Sequence, residues 1–282
     1  MGSRYHTFDI HLTYIVWRAL ETDRIYQHSE HVHLALLRRR RAVIPDIPNG
    51  CSGMACARRF KEGTLVGVLE TRMAIQAAYN EWSSTYDSDS NATRDLDRVV
   101  TEWGLGTSRF ASVIEIGCGT GKNTRLLSQI GTRVLALDFS DSMLAHAQRK
   151  LRDIPNVVFS LADITTGWPC ATRSVHLVTC NLVLEHNQDM SPVFTEAARV
   201  LVGGGWLFIC ELHPCRQYQG TVANYQRGTR RIQVAAFVHH ISDFLEAAQN
   251  SGFTLTSLRE WWHENDDGKA PRLVSFLFER GA

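Results

Sequence analysis

The chain has 282 residues, of which 44% are hydrophobic, and its formal net charge at pH 7 is +1. This length is sufficient for one α/β domain with a sizeable interior. A near-neutral chain has no global electrostatic field that favours nucleic acid or a membrane surface as a partner. No apolar run reaches the roughly 18 residues of a membrane-spanning helix, so no membrane span is expected.

The seven cysteines do not have the spacing of a disulfide framework. Cys118 lies in a predicted turn, and Cys180 and Cys210 lie in predicted strands, so we interpret them as small buried residues. Thiols of this kind indicate a reducing compartment, and a cytoplasmic location is expected. Cys51 and Cys56 have no second pair with which to bind zinc, and we expect no metal site.

Residues 1–70 differ in composition from the rest of the chain and show no sustained amphipathic period. They include an arginine run at positions 38–41. Such a run can contact nucleic acid or an anionic partner, but a solvated basic patch is its more common role. We therefore predict an N-terminal extension of unassigned function over 1–70 and one main domain over 71–282. Two alternatives stay open for the extension: partial disorder, or a segment foreign to the fold.

The main domain begins with a predicted helix over 73–87. Its aromatic residues Tyr79, Trp82 and Tyr86 have helical spacing. This spacing predicts an aromatic face that packs on the core. A second helix is predicted over 95–103.

A strand, a glycine turn and a helix come next. The β-branched run Val113–Ile116 predicts a buried strand. It is followed by Gly117, Gly119 and Gly121, with the spacing G-x-G-x-G. Glycines here permit positive φ and let a ligand approach the backbone closely. A helix is predicted over 123–130.

The second strand, 133–138, ends in Asp138. A carboxylate at the tip of the second strand is where a nucleotide-binding α/β fold holds two ribose hydroxyls, so an adenosine-containing ligand is predicted. A dinucleotide fingerprint has the spacing G-x-G-x-x-G and an anionic pyrophosphate. Glu115, just before the first glycine, is poorly placed for that anion. It suits a ligand with a cationic amino group and a sulfonium.

The remaining elements alternate between strands and helices. Strands are predicted at 157–161, 175–181, 206–212, 255–262 and 273–280, with helices at 142–151, 191–201 and 238–251. Short links between alternating strands and helices predict a doubly wound, mainly parallel sheet. Its ligand loops are expected at the C-terminal edge of the strands.

The glycine turn with Glu115 and Asp138 resembles the first motif of the class I S-adenosylmethionine-dependent methyltransferases, in particular the small-molecule, type 11-like group. Four further segments resemble the family's motifs in the expected order: 77–87, 161–164, 181–186 and 197–207. The resemblance extends over approximately residues 76–280. It implies a Rossmann-like, seven-stranded sheet with an antiparallel last strand between strands five and six.

The resemblance also implies S-adenosylmethionine as the cofactor. In the family's motifs Asp138 corresponds to the ribose-binding acid, Asp163 to the acid near the adenine amino group, and 181–186 to the segment beside the methyl donor. The residues expected to bind the cofactor are Tyr86, Glu115, Gly117, Cys118, Gly119, Gly121, Asp138, Phe139, Met143, Asp163, Ile164, Asn181, Leu182 and His186.

Two histidines are candidate catalytic bases. Methyl transfer from a sulfonium is an in-line displacement, so the enzyme mainly supplies position and sometimes a base. His213, just after the fifth strand, is the preferred base, with a structural hydrogen bond to the cap as its alternative. His186 follows the fourth strand, and packing on the cofactor or capping a loop is its alternative role.

The resemblance implies that the helix over 73–87 forms a lid over the cofactor and substrate, which is compatible with its packing on the core. An insertion over 213–238 is expected to form a cap above the substrate. The residues predicted to contact the substrate are Tyr79, Trp82, Arg216, Tyr218, His239 and His240. The segment 181–184 lacks the Asn/Asp-Pro-Pro-aromatic motif of methyltransferases that modify amino groups of nucleic acid or protein. The favoured function is therefore methylation of an O, N or C atom of a small molecule, without a nucleic-acid partner. The alternative is a non-methylating cofactor-binding protein or regulatory partner on the same fold, and the oligomeric state stays open.

Overall fold

The computed structural model describes residues 53–282, with side chains from residue 67 onwards. Thr71–Ala282 fall in one compact unit. The arginine run at 38–41 and Cys51 lie outside the described residues, and the separate extension over 1–70 stays a prediction. Within the described part, no helix is both long and apolar enough to cross a membrane. No group of three or more His, Cys, Asp or Glu side chains there is arranged to hold a metal ion.

Seven strands form one mixed sheet. The described residues contain nine strands in all: β1 (Val113–Ile116), β2 (Val134–Asp138), β3 (Val157–Leu161), β4 (Val175–Asn181), β5 (Leu201–Leu212), β6 (Asn224–Arg227), β7 (Arg230–Gln233), β8 (Phe253–Trp261) and β9 (Leu273–Arg280). Of these, β6 and β7 pair only with each other, in a separate two-stranded sheet. The sheet order is β3-β2-β1-β4-β5-β9-β8. Its first five strands are parallel neighbours. β9 is antiparallel to both β5 and β8, which confirms the predicted fold class.

Helices cover both faces of this sheet. They are α1 (Gly53–Trp82), α2 (Ala92–Leu105), α3 (Thr124–Ile130), α4 (Asp141–Lys150), α5 (Ser191–Val200), α6 (Pro214–Tyr218) and α7 (Ile241–Asn250). Val113 and Ile114 are consecutive on β1 and enter different hydrophobic clusters, because successive strand side chains point to opposite faces. Val113 packs in the cluster of Leu127 from α3, and Ile114 in that of Phe194 from α5. Both faces of β1 are therefore buried, and its C-terminal end remains for a ligand.

Several predicted boundaries differ from the structure. The lid helix ends at Trp82, and Tyr86 lies in the turn that follows, where its N–H donates to the Trp82 carbonyl at 3.0 Å. Helix α2 begins at Ala92 because the Asn91 side chain caps it, accepting hydrogen bonds from the N–H groups of Thr93 and Arg94. β5 begins at Leu201 rather than at residue 206. The predicted cap insertion contains the hairpin β6–β7, whose short polar strands have no hydrophobic pattern.

Candidate active site

The glycine turn joins β1 to α3 and opens on a cavity. Gly117 has φ +66°, and a Cβ atom there would overlap the side chain of Val183. Gly119 has φ +53°, and a Cβ atom there would meet nothing within 4 Å. Gly121 has φ +81°, but its surroundings are Leu151 and Ala147 at the end of α4. The first two glycines therefore shape the cavity, whereas Gly121 lets α4 pack against the turn.

Asp138 is fixed at the tip of β2. Its side chain is 5% exposed, with Oδ2 accepting a hydrogen bond from the Gly119 N–H at 2.7 Å and Oδ1 accepting one from the Ser140 N–H at 2.8 Å. Burial raises the pKa of Asp138 to about 6. The β2 carboxylate is thus pre-oriented beside the glycine turn, as the sequence predicted for a ribose contact.

Two more buried acids face the same cavity. Glu115 accepts a hydrogen bond from the Thr124 hydroxyl at 2.5 Å, and burial raises its pKa to about 8. Asp97 of α2 accepts hydrogen bonds from the amide groups of Asn123 at 2.8 Å and Asn181 at 2.6 Å, and burial raises its pKa as well. Buried carboxylates favour a cationic ligand, because its positive charge offsets the cost of their desolvation.

One cavity contains every residue predicted to bind the cofactor except Gly121. Its predicted lining residues are Tyr79, Tyr86, Glu115, Gly117, Cys118, Gly119, Asp138, Phe139, Met143, Asp163, Ile164, Asn181, Leu182 and His186. Sequence reasoning missed other lining residues, namely Arg72, Ile75, Arg94, Asp97, Ile116, Thr120, Lys122, Asn123, Val183 and Asn187.

Arg94 is the most prominent residue among those missed. Its guanidinium lies 3.9 Å from the centre of the Tyr86 ring, and it donates hydrogen bonds to the backbone carbonyls of Tyr86 and Asp89. The available signal was the spacing of Arg94 and Asp97 on the buried face of α2, where Val100 and Leu96 form the core. Charged residues on the apolar face of a helix indicate a function.

Glu211 of β5 fixes the loop after β4 through hydrogen bonds. The Oε1 atom of Glu211 accepts hydrogen bonds from the N–H groups of Val183 and Leu184, both at 2.9 Å. Leu182 adopts φ +56°, an uncommon conformation for a non-glycine residue. Burial raises the pKa of Glu211 to about 8. Glu211 therefore positions the cavity wall without lining it, and nothing in its sequence context marked this role.

Known proteins resemble this chain in both sequence and fold. The sequence profile described as "Methyltransferase domain" matches residues 114–209. An uncharacterized methyltransferase of Emericella nidulans is 26% identical over 219 residues, covering 64% of this chain and 76% of that protein. The demethylmenaquinone methyltransferase of Tropheryma whipplei is 28% identical over 176 residues, covering 62% of this chain and 67% of that protein. The N-methyltransferase NodS of Bradyrhizobium japonicum, solved with S-adenosyl-L-homocysteine, shares the fold with a TM-score of 0.56 at 15% identity, covering 75% and 99% of the two chains.

The profile match covers the glycine turn, Asp138 and the loop after β4, which all line the cavity. This chain is a class I S-adenosylmethionine-dependent methyltransferase. Its cofactor is S-adenosylmethionine. The cavity suits this positively charged cofactor, because Asp97, Glu115 and Asp138 all contribute buried acidic side chains to it.

His213, the preferred catalytic base, does not line this cavity, and its catalytic role stays a prediction. His213 caps α6, with Nδ1 accepting a hydrogen bond from the Cys215 N–H at 3.1 Å and Nε2 lying 2.8 Å from Glu260 Oε1. Burial lowers the pKa of His213. These contacts match the alternative role for His213, a structural hydrogen bond to the cap.

Most of the predicted substrate residues also lie elsewhere. Arg216 pairs with the buried Asp266 at 2.8 Å. Tyr218 is exposed and hydrogen-bonds His240, which precedes α7. His239 lies 2.8 Å from the Asn187 carbonyl. Trp82 is buried behind the cavity, where its ring stacks on Tyr225 at 5.5 Å. Of the predicted substrate contacts, only Tyr79 lines the cavity.

Replacement of His213 by alanine is expected to destabilise the methyltransferase without weakening cofactor binding. Losing a helix cap and a buried hydrogen bond costs about 1–2 kcal/mol of unfolding free energy. Chemical denaturation and calorimetric titration with S-adenosylmethionine measure the two quantities. His176→Ala is the control, because His176 is exposed and bonds to Ser112 at the opposite end of β4. A large loss of cofactor affinity in His213→Ala would contradict this assignment.

Cofactor binding is expected to release a proton near neutral pH. Glu115, with a pKa of about 8, is largely protonated in the free methyltransferase, and a cationic ligand favours its ionised form. The affinity for S-adenosylmethionine is therefore expected to increase as the pH rises from about 6 to about 8. Calorimetry in two buffers of different ionisation enthalpy counts the released protons. Glu115→Gln should abolish the release, whereas the exposed control Glu102→Gln should retain it; equal release in both variants would exclude Glu115 as the source.

Proposed function

We propose that this methyltransferase transfers a methyl group from S-adenosylmethionine to an O, N or C atom of a small-molecule acceptor by in-line displacement. The main support for this proposal is that the cavity has an apolar, aromatic wall beside its acidic residues. Ile75, Tyr79, Tyr86 and Phe139 contribute that wall. A pocket with few polar groups on an apolar wall is typical of small-molecule sites.

In this proposal, different residues of the cavity bind different parts of the cofactor. Asp138 would hold the ribose hydroxyls, Asp163 and Ile164 the adenine, and Glu115 with Asp97 the cationic amino group. Arg94 and Lys122 are the cations available for the carboxylate of the methionine part. When bound, the cofactor supplies an activated methyl group on a sulfonium. Orientation of an acceptor against it can lower the barrier by about 7–11 kcal/mol.

The lid favours a small acceptor over a macromolecule. Gln76 and Asn80 of α1 hydrogen-bond the Phe139 carbonyl and the Ser140 hydroxyl, both at 2.5 Å. Glu81 accepts a hydrogen bond from Tyr225 of the hairpin β6–β7 at 2.9 Å. The helix that lines the cavity is thus held to the end of β2 and to the hairpin, and a relative is named for its small acceptor, demethylmenaquinone. We further propose a cytoplasmic location, supported by the buried thiols of Cys180 and Cys210.

A transfer assay with a methyl-labelled donor tests this function. Wild-type protein and Asp138→Ala are incubated with the small-molecule fraction of a cell extract and, separately, with its protein and nucleic-acid fractions. Label that enters the small-molecule fraction with wild-type protein alone would support the proposal. Label that enters only the macromolecules would overturn the acceptor class, and cofactor binding without any transfer would favour a non-methylating protein.

A further inference from the structure

A tyrosine and a histidine form a hydrogen-bonded pair in the wall of the cavity. Tyr79 Oη and His186 Nε2 are 2.7 Å apart, and His186 Nδ1 is 2.8 Å from the carbonyl oxygen of Ala235. A carbonyl can only accept, so Nδ1 carries the hydrogen and Nε2 accepts the one from the Tyr79 hydroxyl. A hydroxyl that donates one hydrogen bond can still accept others, and both side chains line the cavity.

The ring of Tyr79 is held in place by aromatic neighbours. It stacks on Trp82 at 5.8 Å and meets the edge of Phe139 at 6.2 Å and of His186 at 5.3 Å. Burial raises the pKa of Tyr79 well above its usual value. The hydroxyl is therefore protonated at neutral pH, and its position does not depend on its hydrogen bond alone.

Acidic groups surround the pair. Glu185 Oε1 lies 3.8 Å from His186 Nε2. Burial raises the pKa of Glu185, while His186 and the amide of Gln217 oppose this shift. The other titratable groups that face Tyr79 are Tyr86, Asp138 and Glu211. Glu185 is therefore placed to stabilise positive charge that develops on this ring during a reaction.

We propose that Tyr79 and His186 form a proton relay that deprotonates a neutral hydroxyl group of the acceptor, which is a phenol or an enol. The proposal rests on the proposed function and deepens it. The acceptor hydroxyl gives its proton to Tyr79 Oη as the Tyr79 proton moves to His186 Nε2. The acceptor oxygen forms its new C–O bond to the methyl group as the S–CH₃ bond of the donor breaks, and the sulfur keeps that electron pair. Glu185 stabilises the resulting imidazolium, which later returns its proton to water.

This acceptor class follows from the chemistry of the pair. A deprotonated amine or a carboxylate is already nucleophilic, and a relay would add nothing to its methylation. A phenol has a pKa of about 10, like tyrosine, and is neutral at physiological pH, so removal of its proton accelerates attack. The apolar wall formed by Ile75 and Phe139 suits a flat, unsaturated ring.

The test compares two phenols in the full-length protein, at a pH between their two pKa values. Unsubstituted phenol is neutral under these conditions, and 4-nitrophenol is ionised. Tyr79→Phe keeps the ring and removes the relay hydroxyl. Tyr225→Phe is the matched control, because that hydroxyl belongs to the same aromatic cluster but bonds to Glu81. Thermal melting confirms that each variant is folded, and calorimetry confirms that it binds S-adenosylmethionine.

The relay predicts a loss that depends on the acceptor. Tyr79→Phe should slow methylation of phenol by about 10²–10⁴-fold and leave methylation of 4-nitrophenol near the wild-type rate. His186→Gln should show the same contrast, and Tyr225→Phe should resemble wild type with both acceptors. An equal loss with both phenols in Tyr79→Phe would overturn the relay in favour of positioning. Wild-type protein that binds the cofactor but methylates neither phenol would overturn the acceptor class and leave the proposed function standing.

Discussion

Replacement of Gly117 by alanine is expected to destabilise the methyltransferase and to abolish measurable cofactor binding. The backbone at Gly117 has φ +66°, which costs a residue with a side chain about 1–2 kcal/mol. The new methyl group would also overlap Val183, and overpacking of this kind costs about 1–3 kcal/mol. Val183 cannot yield freely, because its N–H group is bonded to Glu211. The overlap therefore displaces the loop that forms one cavity wall.

Thermal melting and calorimetric titration measure these two effects. Gly167→Ala is the control, because a Cβ atom there meets nothing within 4 Å and its φ is not positive. The double variant Gly117→Ala/Val183→Ala removes the overlap and keeps the strained φ. The double variant should therefore lose less stability than the sum of the losses in the two single variants. If Gly117→Ala melts and binds like wild type, the close contact between turn and loop does not exist in solution.

Replacement of Asp138 by alanine is expected to weaken S-adenosylmethionine binding by about 10²–10³-fold, the equivalent of about 3–4 kcal/mol. Each hydrogen bond to a charged group contributes about 1.5–3 kcal/mol, and a ribose offers two hydroxyls to one carboxylate. The change also removes the acceptor of the Gly119 and Ser140 N–H groups, which loosens the glycine turn. Affinity for S-adenosyl-L-homocysteine should fall in parallel, because both ligands carry the same ribose.

The neighbouring Asp141→Ala supplies the control for charge. Asp141 is exposed in the first turn of α4, and its carboxylate bonds only to the adjacent Ser142 among the described contacts. Its removal should leave cofactor affinity near wild type. Unchanged affinity in Asp138→Ala would mean that the end of β2 does not contact the ligand.

The elements nearest the cofactor were the most predictable ones. β3 and β4 begin and end where the sequence predicted, because β-branched residues between polar turns favour strands. Asp138 could be placed because parallel strands bring their C-terminal ends to one edge, whatever the packing around them. The glycine spacing, together with Glu115, then restricted the kind of ligand.

The residues beyond β5 were less predictable. His213 comes directly after the strand, but α6 starts there and directs its imidazole to Glu260 instead of the cavity. Glu211, one of the last residues of the same strand, reaches the loop after β4. These directions depend on contacts between distant segments, which sequence spacing does not record. The hairpin β6–β7 was missed because its strands lack an apolar alternation.

Calorimetric titration of the wild-type protein with S-adenosylmethionine and S-adenosyl-L-homocysteine tests the central claim most directly. The account predicts saturable binding of both ligands at one site, with proton release for S-adenosylmethionine near neutral pH. The absence of binding for both ligands, across the pH range in which Glu115 ionises, would contradict the assignment of this cavity as the cofactor site.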